Sequence, residues 1–392
     1  MFKRSMEKAL DRYSKFPVVV ILGPRQSGKT TLAKHFFKKY KYFSLEDPST
    51  RELVQNDPKH FLKANENAHG IIIDEFQYVP TILSYIQLES DEKKRPGYFV
   101  LTGSQNYLMN AAITQSLAGR AGILTLLPLS IKEISKNKLL IDKNIDEVMF
   151  YGGYPRIYEE SIAPSDYFPS YIQTYVERDV RQLLNIENLT LFQKFMGLCA
   201  GRIGQLLNIE SLGNDCGISF NTARSWLSIL QASYTIVLLQ PHFKNFNKRL
   251  TKSPKLYFHD TGLACSLLRI SSPDVLTTYP LRGNIFESFI IADLYKQFYN
   301  NGKQAPLYFW RDLNGRHEVD CIIDHGTKLI PIEIKSGLTI SKDFFNGIEY
   351  WNDLANNKPE DSFIVYTGEE NQTRSLGNII SWENLGNLVE RL

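Results

Sequence analysis

The sequence predicts an α/β protein with a doubly wound parallel sheet, then a helical and winged helix-turn-helix region, then a small α/β domain. Two observations predict the sheet. Residues 18–22 form an unbroken apolar, β-branched run, typical of a strand buried on both faces, and a glycine-rich loop and a helical pattern follow. Further apolar runs each end in acidic or polar residues. Because 392 residues exceed one ordinary core, we expect domains at 1–135, 136–275 and 276–392.

The composition is that of an ordinary globular protein. Its net charge of +3 is too small to indicate nucleic-acid binding by itself, although a local basic patch could still do so. The four cysteines form no C-x-x-C pair, so they predict neither a zinc site nor a disulfide framework, and they fit a reducing cytosol. The N-terminus lacks an apolar signal core, and no apolar run approaches the ~20 residues that span a bilayer. We therefore expect a cytoplasmic protein without a membrane partner.

The loop after the first strand fits the pattern G-x-x-x-x-G-K-[ST]. In such a loop, backbone N–H groups turn inward onto phosphates, and the N-terminus of the next helix adds partial positive charge. Lys29 would reach the β and γ phosphates, and the Thr30 hydroxyl would hold Mg²⁺. The predicted nucleotide-binding residues are Gly23, Pro24, Gln26, Ser27, Gly28, Lys29, Thr30 and Thr31.

Two carboxylates follow the apolar strand at 70–73. At the carboxyl edge of a parallel sheet, beside the loop, we expect Asp74 to hold Mg²⁺ through its water shell and Glu75 to be the base for water. Ser104 follows another buried strand, at 98–102, and would sense the γ phosphate or orient the water. Ordinary turn chemistry explains Ser104 equally well.

Arg120 precedes a fifth apolar strand, at 122–127. It could supply positive charge to a phosphoryl-transfer transition state, either within one chain or across a subunit interface. A purely structural arginine at the end of a helix is the alternative.

Several stretches together resemble the AAA-type ATPases, and more closely a family of bacterial and archaeal AAA ATPases that ends in a domain of unknown function. The resemblance covers nearly the full length, and its matching stretches are GPRQSGKTTL, IIIDEFQYVP, LTGSQNYLM, SLAGRAGILTLLPLS, GGYPRIYE, SPKLYFHDTGLA, GNIFESFI and PIEIKSG. It implies a doubly wound parallel sheet in the first third and MgATP as the ligand. It implies no particular substrate.

The middle of the chain predicts a winged helix-turn-helix. A short helix over 203–212, a turn and a helix over 220–231 precede two short strands, at 234–239 and 255–258. The loop 241–254 between these strands carries basic residues and no acid, so it could follow a nucleic-acid backbone. A lid or a protein contact is the alternative. The basic residues of the loop are Lys244, Lys248, Arg249 and Lys252.

The last third carries a second set of candidate site residues. Asp320 and Glu333 lie on two strands that we expect to pair, and Lys335 points to the same face as Glu333. With Glu287 on a preceding helix, the three carboxylates could bind Mg²⁺, which would activate water. This arrangement resembles the PD-(D/E)xK nuclease superfamily. Two alternatives stay open: an ordinary pair of strand residues, or a nuclease-like fold that has lost cleavage.

Two functions fit these features. The first is an ATPase that hydrolyses ATP with Mg²⁺, coupled to a C-terminal domain that binds DNA or RNA and could cleave it. The second is a regulatory ATP-dependent switch whose nuclease-like domain is inactive and binds a protein partner. A small-molecule kinase is less favoured, because Glu75 beside Asp74 suits an activated water. The sequence is also compatible with a homo-oligomer.

Overall fold

The computed structural model divides the chain into two compact units. It describes residues 1–104, 113, 115–139, 143–175, 189–242, 252–312 and 314–390. The N-terminal unit comprises residues 1–129, 232–234 and 298–303, and the C-terminal unit comprises residues 130–231, 235–297 and 304–392. The predicted boundary at 135 lies near the first division between the units, whereas the predicted boundary at 275 falls inside the C-terminal unit.

The N-terminal unit is built on a five-stranded parallel sheet, as the sequence predicts. Its strands are β1 (Val18–Gly23), β2 (Lys41–Ser44), β3 (Ile71–Asp74), β4 (Phe99–Ser104) and β5 (Ala121–Thr125). They lie in the order β2-β3-β4-β1-β5, so β1 is between β4 and β5. The described helices are α1 (Glu7–Tyr13), α2 (Lys29–Phe36), α3 (Pro48–Asn56), α4 (Pro58–Ala64) and α5 (Ile82–Lys93).

Strand β1 is buried along its whole length. Val18, Val20 and Leu22 contact one hydrophobic cluster, and Val19 and Ile21 contact another. This burial on both faces is the physical reason for the unbroken apolar run, since a strand with one wet face would alternate apolar and polar residues. Because β1 runs parallel to both of its neighbours, β4 and β5, the glycine-rich loop that follows it starts at the carboxyl edge of the sheet.

The C-terminal unit contains an eight-stranded mixed sheet in the order β12-β13-β11-β10-β9-β8-β6-β7. The strands are β6 (Ile236–Pro241), β7 (Lys255–Phe258), β8 (Leu307–Arg311), β9 (Glu318–Asp324), β10 (Leu329–Lys335), β11 (Phe363–Tyr366), β12 (Gln372–Arg374) and β13 (Gly377–Ser381). The described helices are α6 (Ile131–Lys136), α7 (Ile145–Tyr151), α8 (Pro155–Glu159), α9 (Pro164–Tyr175), α10 (Leu189–Ala200), α11 (Ile209–Cys216), α12 (Phe220–Ala232), α13 (Thr261–Leu267), α14 (Pro273–Thr277), α15 (Arg282–Asn300), α16 (Asn346–Ala355) and α17 (Leu385–Glu390). Among the described helices, none combines the length and apolar character that crossing a membrane requires.

The strand pair that the sequence predicts as a wing belongs to this larger sheet. Strand β6 pairs antiparallel with β7 and also parallel with β8, where Gln240 lies opposite Tyr308. The hairpin therefore extends the sheet of the last third. For this reason the predicted boundary at 275 does not separate two compact units.

The first helix of the predicted helix-turn-helix lies further along the chain than the sequence predicts. The prediction over 203–212 is wrong, because the helix in this region is α11, which begins at Ile209. Asn208 caps it by accepting a hydrogen bond from the backbone N–H of Ser211 at 3.0 Å. Upstream, the Gly204 N–H donates to the Leu256 carbonyl of β7 at 2.7 Å, so this segment is held in turns against the sheet.

Asp260 joins two segments that are distant in sequence. Its buried carboxylate accepts hydrogen bonds from the backbone N–H groups of Gly153, at 2.7 Å, and Leu263, at 3.2 Å. Gly152 has a φ of +66°, and a Cβ there would collide with the Asp260 carboxylate. The GGYP turn is thus fixed against the start of α13, which Asp260 caps.

Gly152→Ala should lower the free energy of unfolding of the C-terminal unit by more than about 2 kcal/mol, because left-handed strain adds to the collision. Gly217→Ala is the matched control, since Gly217 also has a positive φ, +84°, but a Cβ there meets nothing within 4 Å. The control should lower the free energy of unfolding by about 1 kcal/mol. Urea unfolding followed by tryptophan fluorescence measures both, because all four tryptophans lie in the C-terminal unit. Equal losses of unfolding free energy in the two variants would contradict the predicted collision with Asp260.

Candidate functional site

The glycine-rich loop leaves β1 through a backbone turn that only glycine accepts. Gly23 has a φ of +151°, and a Cβ on it would overlap the carbonyl of Leu126. The side chain of Ser27 is fully buried, and its hydroxyl has no hydrogen-bond partner among the residues that the structure describes. A cradle that a Cβ would fill, with an orphaned hydroxyl under it, fits a loop that closes around phosphates. Of the other predicted residues, Pro24 is buried, whereas Gln26 and Thr31 are exposed.

Lys29 turns back over the loop. Its ammonium donates to the carbonyls of Gly23, at 3.1 Å, and Pro24, at 2.7 Å. The side chain is buried at the first residue of α2, so its charge is held at the mouth of the cradle. Neutral carbonyls are weaker partners for an ammonium than phosphate oxygens are, so an entering phosphate could take over these hydrogen bonds.

The Asp74 carboxylate accepts hydrogen bonds from several hydroxyl groups at the carboxyl end of β3. Thr30 and Tyr42 donate to it at 3.0 and 2.8 Å, and Thr102 also donates to it. The parallel register explains the Thr102 contact directly, because it aligns Asp74 with Thr102 of β4. On the other side it aligns Asp74 with Ser44 of β2, two residues after Tyr42. The two residues predicted to hold Mg²⁺, Thr30 and Asp74, therefore touch. Hydroxyl and carboxylate oxygens are ligands that fit this ion.

Glu75 is held in a constrained position next to Asp74. Its backbone is left-handed, with a φ of +54°. Its carboxylate accepts a hydrogen bond from Gln77, and the Ser104 hydroxyl lies 3.5 Å away. The sequence predicted Glu75 and Ser104 but missed Gln77. A Cβ on Gly103 would collide with the Gln77 side chain, so that glycine on β4 makes room for the residue that orients Glu75.

Arg120 lies at the opposite edge of the sheet. Its carbonyl accepts from the Val18 N–H at the amino end of β1, whereas the loop follows the carboxyl end. Its guanidinium forms two hydrogen bonds with Asp91, one of them at 2.8 Å. The prediction that Arg120 acts on the phosphates of its own chain is therefore wrong, because parallel strands put their two ends at opposite edges. Action across a subunit interface stays a prediction.

The predicted acids of the last third face one another. Strands β9 and β10 are antiparallel, and the pair Cys321–Ile332 puts Asp320 across from Glu333. The Lys335 ammonium donates to Glu333 at 2.6 Å, and the carboxylate of Asp320 accepts from the backbone N–H of Ile334 at 2.8 Å. The predicted pairing of the two strands is thus correct.

A residue from the middle region, Lys255 of β7, enters this cluster. Its buried ammonium lies 2.9 Å from Glu287 and 3.9 Å from Asp320, and it also pairs with Glu318. The Tyr257 hydroxyl donates to Glu287 as well, at 2.5 Å. Within the described residues, no three His, Cys, Asp or Glu side chains form a group that could hold a metal ion. The predicted Mg²⁺ site at Glu287, Asp320 and Glu333 therefore does not fit, because a lysine already supplies the cation.

Protons compensate the remaining negative charge. Burial and the charge of Asp320 raise the pKa of Glu333 to about 8, while Lys335 opposes the shift. Burial likewise raises the pKa of Glu287 to about 7, against the opposing effect of Lys255. In the described part of the chain, one carboxyl oxygen of Glu333 is buried without a hydrogen-bond partner. The cluster is therefore close to neutral without a metal.

The predicted basic loop is described only in part. Lys244, Lys248 and Arg249 lie outside the described residues, and Lys252 is exposed. The nucleic-acid contact expected of this loop stays a prediction.

The fold and the loop define an AAA-type ATPase domain, and a match to a known domain family supports this assignment. Residues 15–135 match the family "AAA domain", residues 142–274 match "Domain of unknown function (DUF8612)", and residues 282–385 match "Domain of unknown function (DUF4143)".

Relatives extend over most of the chain. The uncharacterized protein Rv2008c of Mycobacterium tuberculosis is 31% identical over 334 residues, which cover 83% of this chain and 71% of the relative. The uncharacterized protein MJ1544 of Methanocaldococcus jannaschii is 24% identical and covers 78% and 72%. The solved Walker-type ATPase of Pyrococcus abyssi is 16% identical and superposes with a TM-score of 0.46, covering 69% of this chain and 96% of that one. The chain belongs to the same family as the mycobacterial relative.

The stability of the C-terminal unit should fall as pH rises from about 5 to about 8. Burial, together with the charge of Asp320, raises the pKa of Glu333 to about 8, so the folded chain keeps a proton that the unfolded chain releases near the ordinary value of 4.5. Stability is thus greatest below that value and is lost as pH rises through 8, at up to about 1.4 kcal/mol per pH unit.

Urea unfolding in EDTA at several pH values, followed by tryptophan fluorescence, measures this slope. Glu333→Gln should make this slope shallower, because the amide cannot ionise, whereas the raised pKa of Glu287 preserves part of the slope. Exposed Glu369, changed to Gln, is the control and should leave the slope as it is. A Glu333→Gln slope equal to that of the unmodified chain would rule out the buried proton.

Proposed function

We propose that the chain binds MgATP at the glycine-rich loop and hydrolyses ATP with Glu75 as the general base. The observation that carries the proposal is the contact between Thr30 and Asp74, 3.0 Å apart, with Glu75 fixed beside them at the carboxyl edge. The loop follows β1, Thr30 is the second residue of α2, and Asp74 ends β3 with Glu75 directly after it. The parallel register, which puts the carboxyl ends of β1 and β3 at one edge of the sheet, supports this grouping. Membership of an AAA-domain family supports the same class of ligand.

Each residue has a part that follows from its position. Loop N–H groups and Lys29 would bind the phosphates, while Thr30 and Asp74 would hold Mg²⁺, which neutralises phosphate charge when bound. Glu75 would take the proton of the attacking water. Gln77 and Ser104 keep the Glu75 carboxylate in place, so the base does not have to be ordered during the reaction.

Lys29→Ala should abolish tight MgATP binding, because the loop loses its buried ammonium. Glu75→Gln should keep MgATP binding and lower kcat by about 10²-fold or more, because an amide cannot accept the proton. Calorimetric titration with MgATP and a phosphate-release assay measure the two effects. Glu52→Gln, an exposed change on α3, should alter neither. Full turnover by Glu75→Gln would remove Glu75 from the role of base.

A second candidate function concerns the C-terminal unit. Lys255 within the acidic cluster favours the ATP-dependent switch, in which the nuclease-like region does not cleave phosphodiesters. An ammonium bound to Glu287 and Glu318 supplies the positive charge that a nuclease would take from its metal. A divalent ion would have to displace the buried Lys255 and also the proton on Glu333. Metal binding would therefore lose the free energy of the Lys255 ion pairs and that of Glu333 protonation.

Mn²⁺ or Mg²⁺ at 5 mM, without nucleotide, should therefore change the melting temperature of the C-terminal unit by less than about 1 °C. Lys255→Met should lower that temperature, because Glu287 and Glu318 lose their cation, and Mn²⁺ should then restore part of the loss. Adding Asp320→Asn to Lys255→Met should reduce the restoration. A clear rise with Mn²⁺ in the unmodified chain, together with cleavage of labelled DNA or RNA, would instead establish the nuclease.

A further inference from the structure

Arg4 binds the glycine-rich loop from outside the sequence motif. Its guanidinium donates to the backbone carbonyl of Ser27, within the loop, and to that of Leu127, after β5; both distances are 2.7 Å. The side chain is only 6% exposed. One buried arginine thus bridges the phosphate loop and the chain segment that follows the neighbouring strand.

The contact with Ser27 fixes the orientation of one peptide group. No peptide bond in the described chain is cis. In a trans peptide the carbonyl and the N–H point in opposite directions, so a Ser27 carbonyl held by Arg4 turns the Gly28 N–H to the side away from Arg4. Backbone N–H groups of such a loop are what the phosphates bind. Arg4 therefore sets the direction of one of the donors.

Hydrophobic contacts already anchor the segment that carries Arg4. Met6, Ala9 and Leu10 are fully buried in the cluster on one face of the sheet. Burying a cation costs free energy unless it is fully bonded, so an apolar side chain would serve better if Arg4 only filled space. The guanidinium instead gives its directional donors to two backbone carbonyls.

We propose that Arg4 is a positioning residue for the nucleotide, holding the Ser27–Gly28 peptide in its phosphate-binding orientation. The inference rests on the proposed function of the loop, and it adds the N-terminal segment to the nucleotide site. Loss of Arg4 leaves the peptide free to turn, so part of the binding energy of MgATP goes into ordering it.

The test uses the full chain in a Glu75→Gln background, where MgATP is not consumed, and measures Kd by calorimetric titration. Arg4→Met keeps the length of the side chain without its donors and should raise the Kd for MgATP about tenfold. Arg4→Lys keeps one cationic donor and should restore part of the affinity. Arg12→Ala is the matched control, because exposed Arg12 on α1 donates to the Asn301 carbonyl at 2.6 Å and not to the loop.

The outcomes separate the two proposals. A Kd for Arg4→Met equal to that of Arg12→Ala, with a lower melting temperature in both, would make Arg4 a purely structural residue and overturn the inference. No MgATP binding by the Glu75→Gln parent itself would overturn the proposed function of the loop, and the inference with it. If Arg4→Met does not fold, the Kd of Arg4→Lys decides. A Kd equal to that of the Glu75→Gln parent contradicts the inference, because one ammonium cannot bind both carbonyls as a guanidinium does.

Discussion

The parallel register of the five-stranded sheet is the constraint on which the candidate nucleotide site depends. It brings the carboxyl ends of β1, β3 and β4 to one edge, where the loop, Asp74 and Ser104 follow in turn. Asp74 accepts a hydrogen bond there from Thr102, which is aligned with it on β4, and further ones from Tyr42 of β2 and Thr30 of α2. The same register places Arg120 at the other edge, so one geometric rule both assembles the site and excludes a candidate from it.

Buried charge in the C-terminal unit is balanced by contacts that cross the predicted domain boundary. Hairpin β6–β7 joins the sheet through β8, and this pairing carries Lys255 to Glu287 and Glu318. Isolated carboxylates at such burial would be costly, and the ammonium and the raised pKa of Glu333 together remove most of the net charge. The middle and last thirds are thus held together by electrostatics as well as by strand pairing.

Local pattern accounts for what the sequence predicted well. Strands such as β1 are apolar on both faces, and the glycine-rich loop has a fixed spacing, so both are visible in a short window. Tyr42, Arg4 and Lys255 were missed because their roles come from contacts between distant segments, which no periodicity encodes. Gln77 was missed although it lies only two residues after Glu75, the residue that it contacts. The early placement of the helix at 203–212 has a similar cause, since the turns before Asn208 are held by β7.

Two buried lysines show why one site is open to a ligand and the other is not. Lys29 donates to neutral carbonyls of its own loop, and a phosphate offers it stronger, charged acceptors. Lys255 already has charged acceptors in Glu287 and Glu318, so any cation that replaces it must separate buried ion pairs. Lys29 can therefore form stronger hydrogen bonds when a phosphate binds to the loop. The acidic cluster would first have to break the ion pairs of Lys255 before it could bind a metal ion. This asymmetry favours a chain whose chemistry lies in the N-terminal unit.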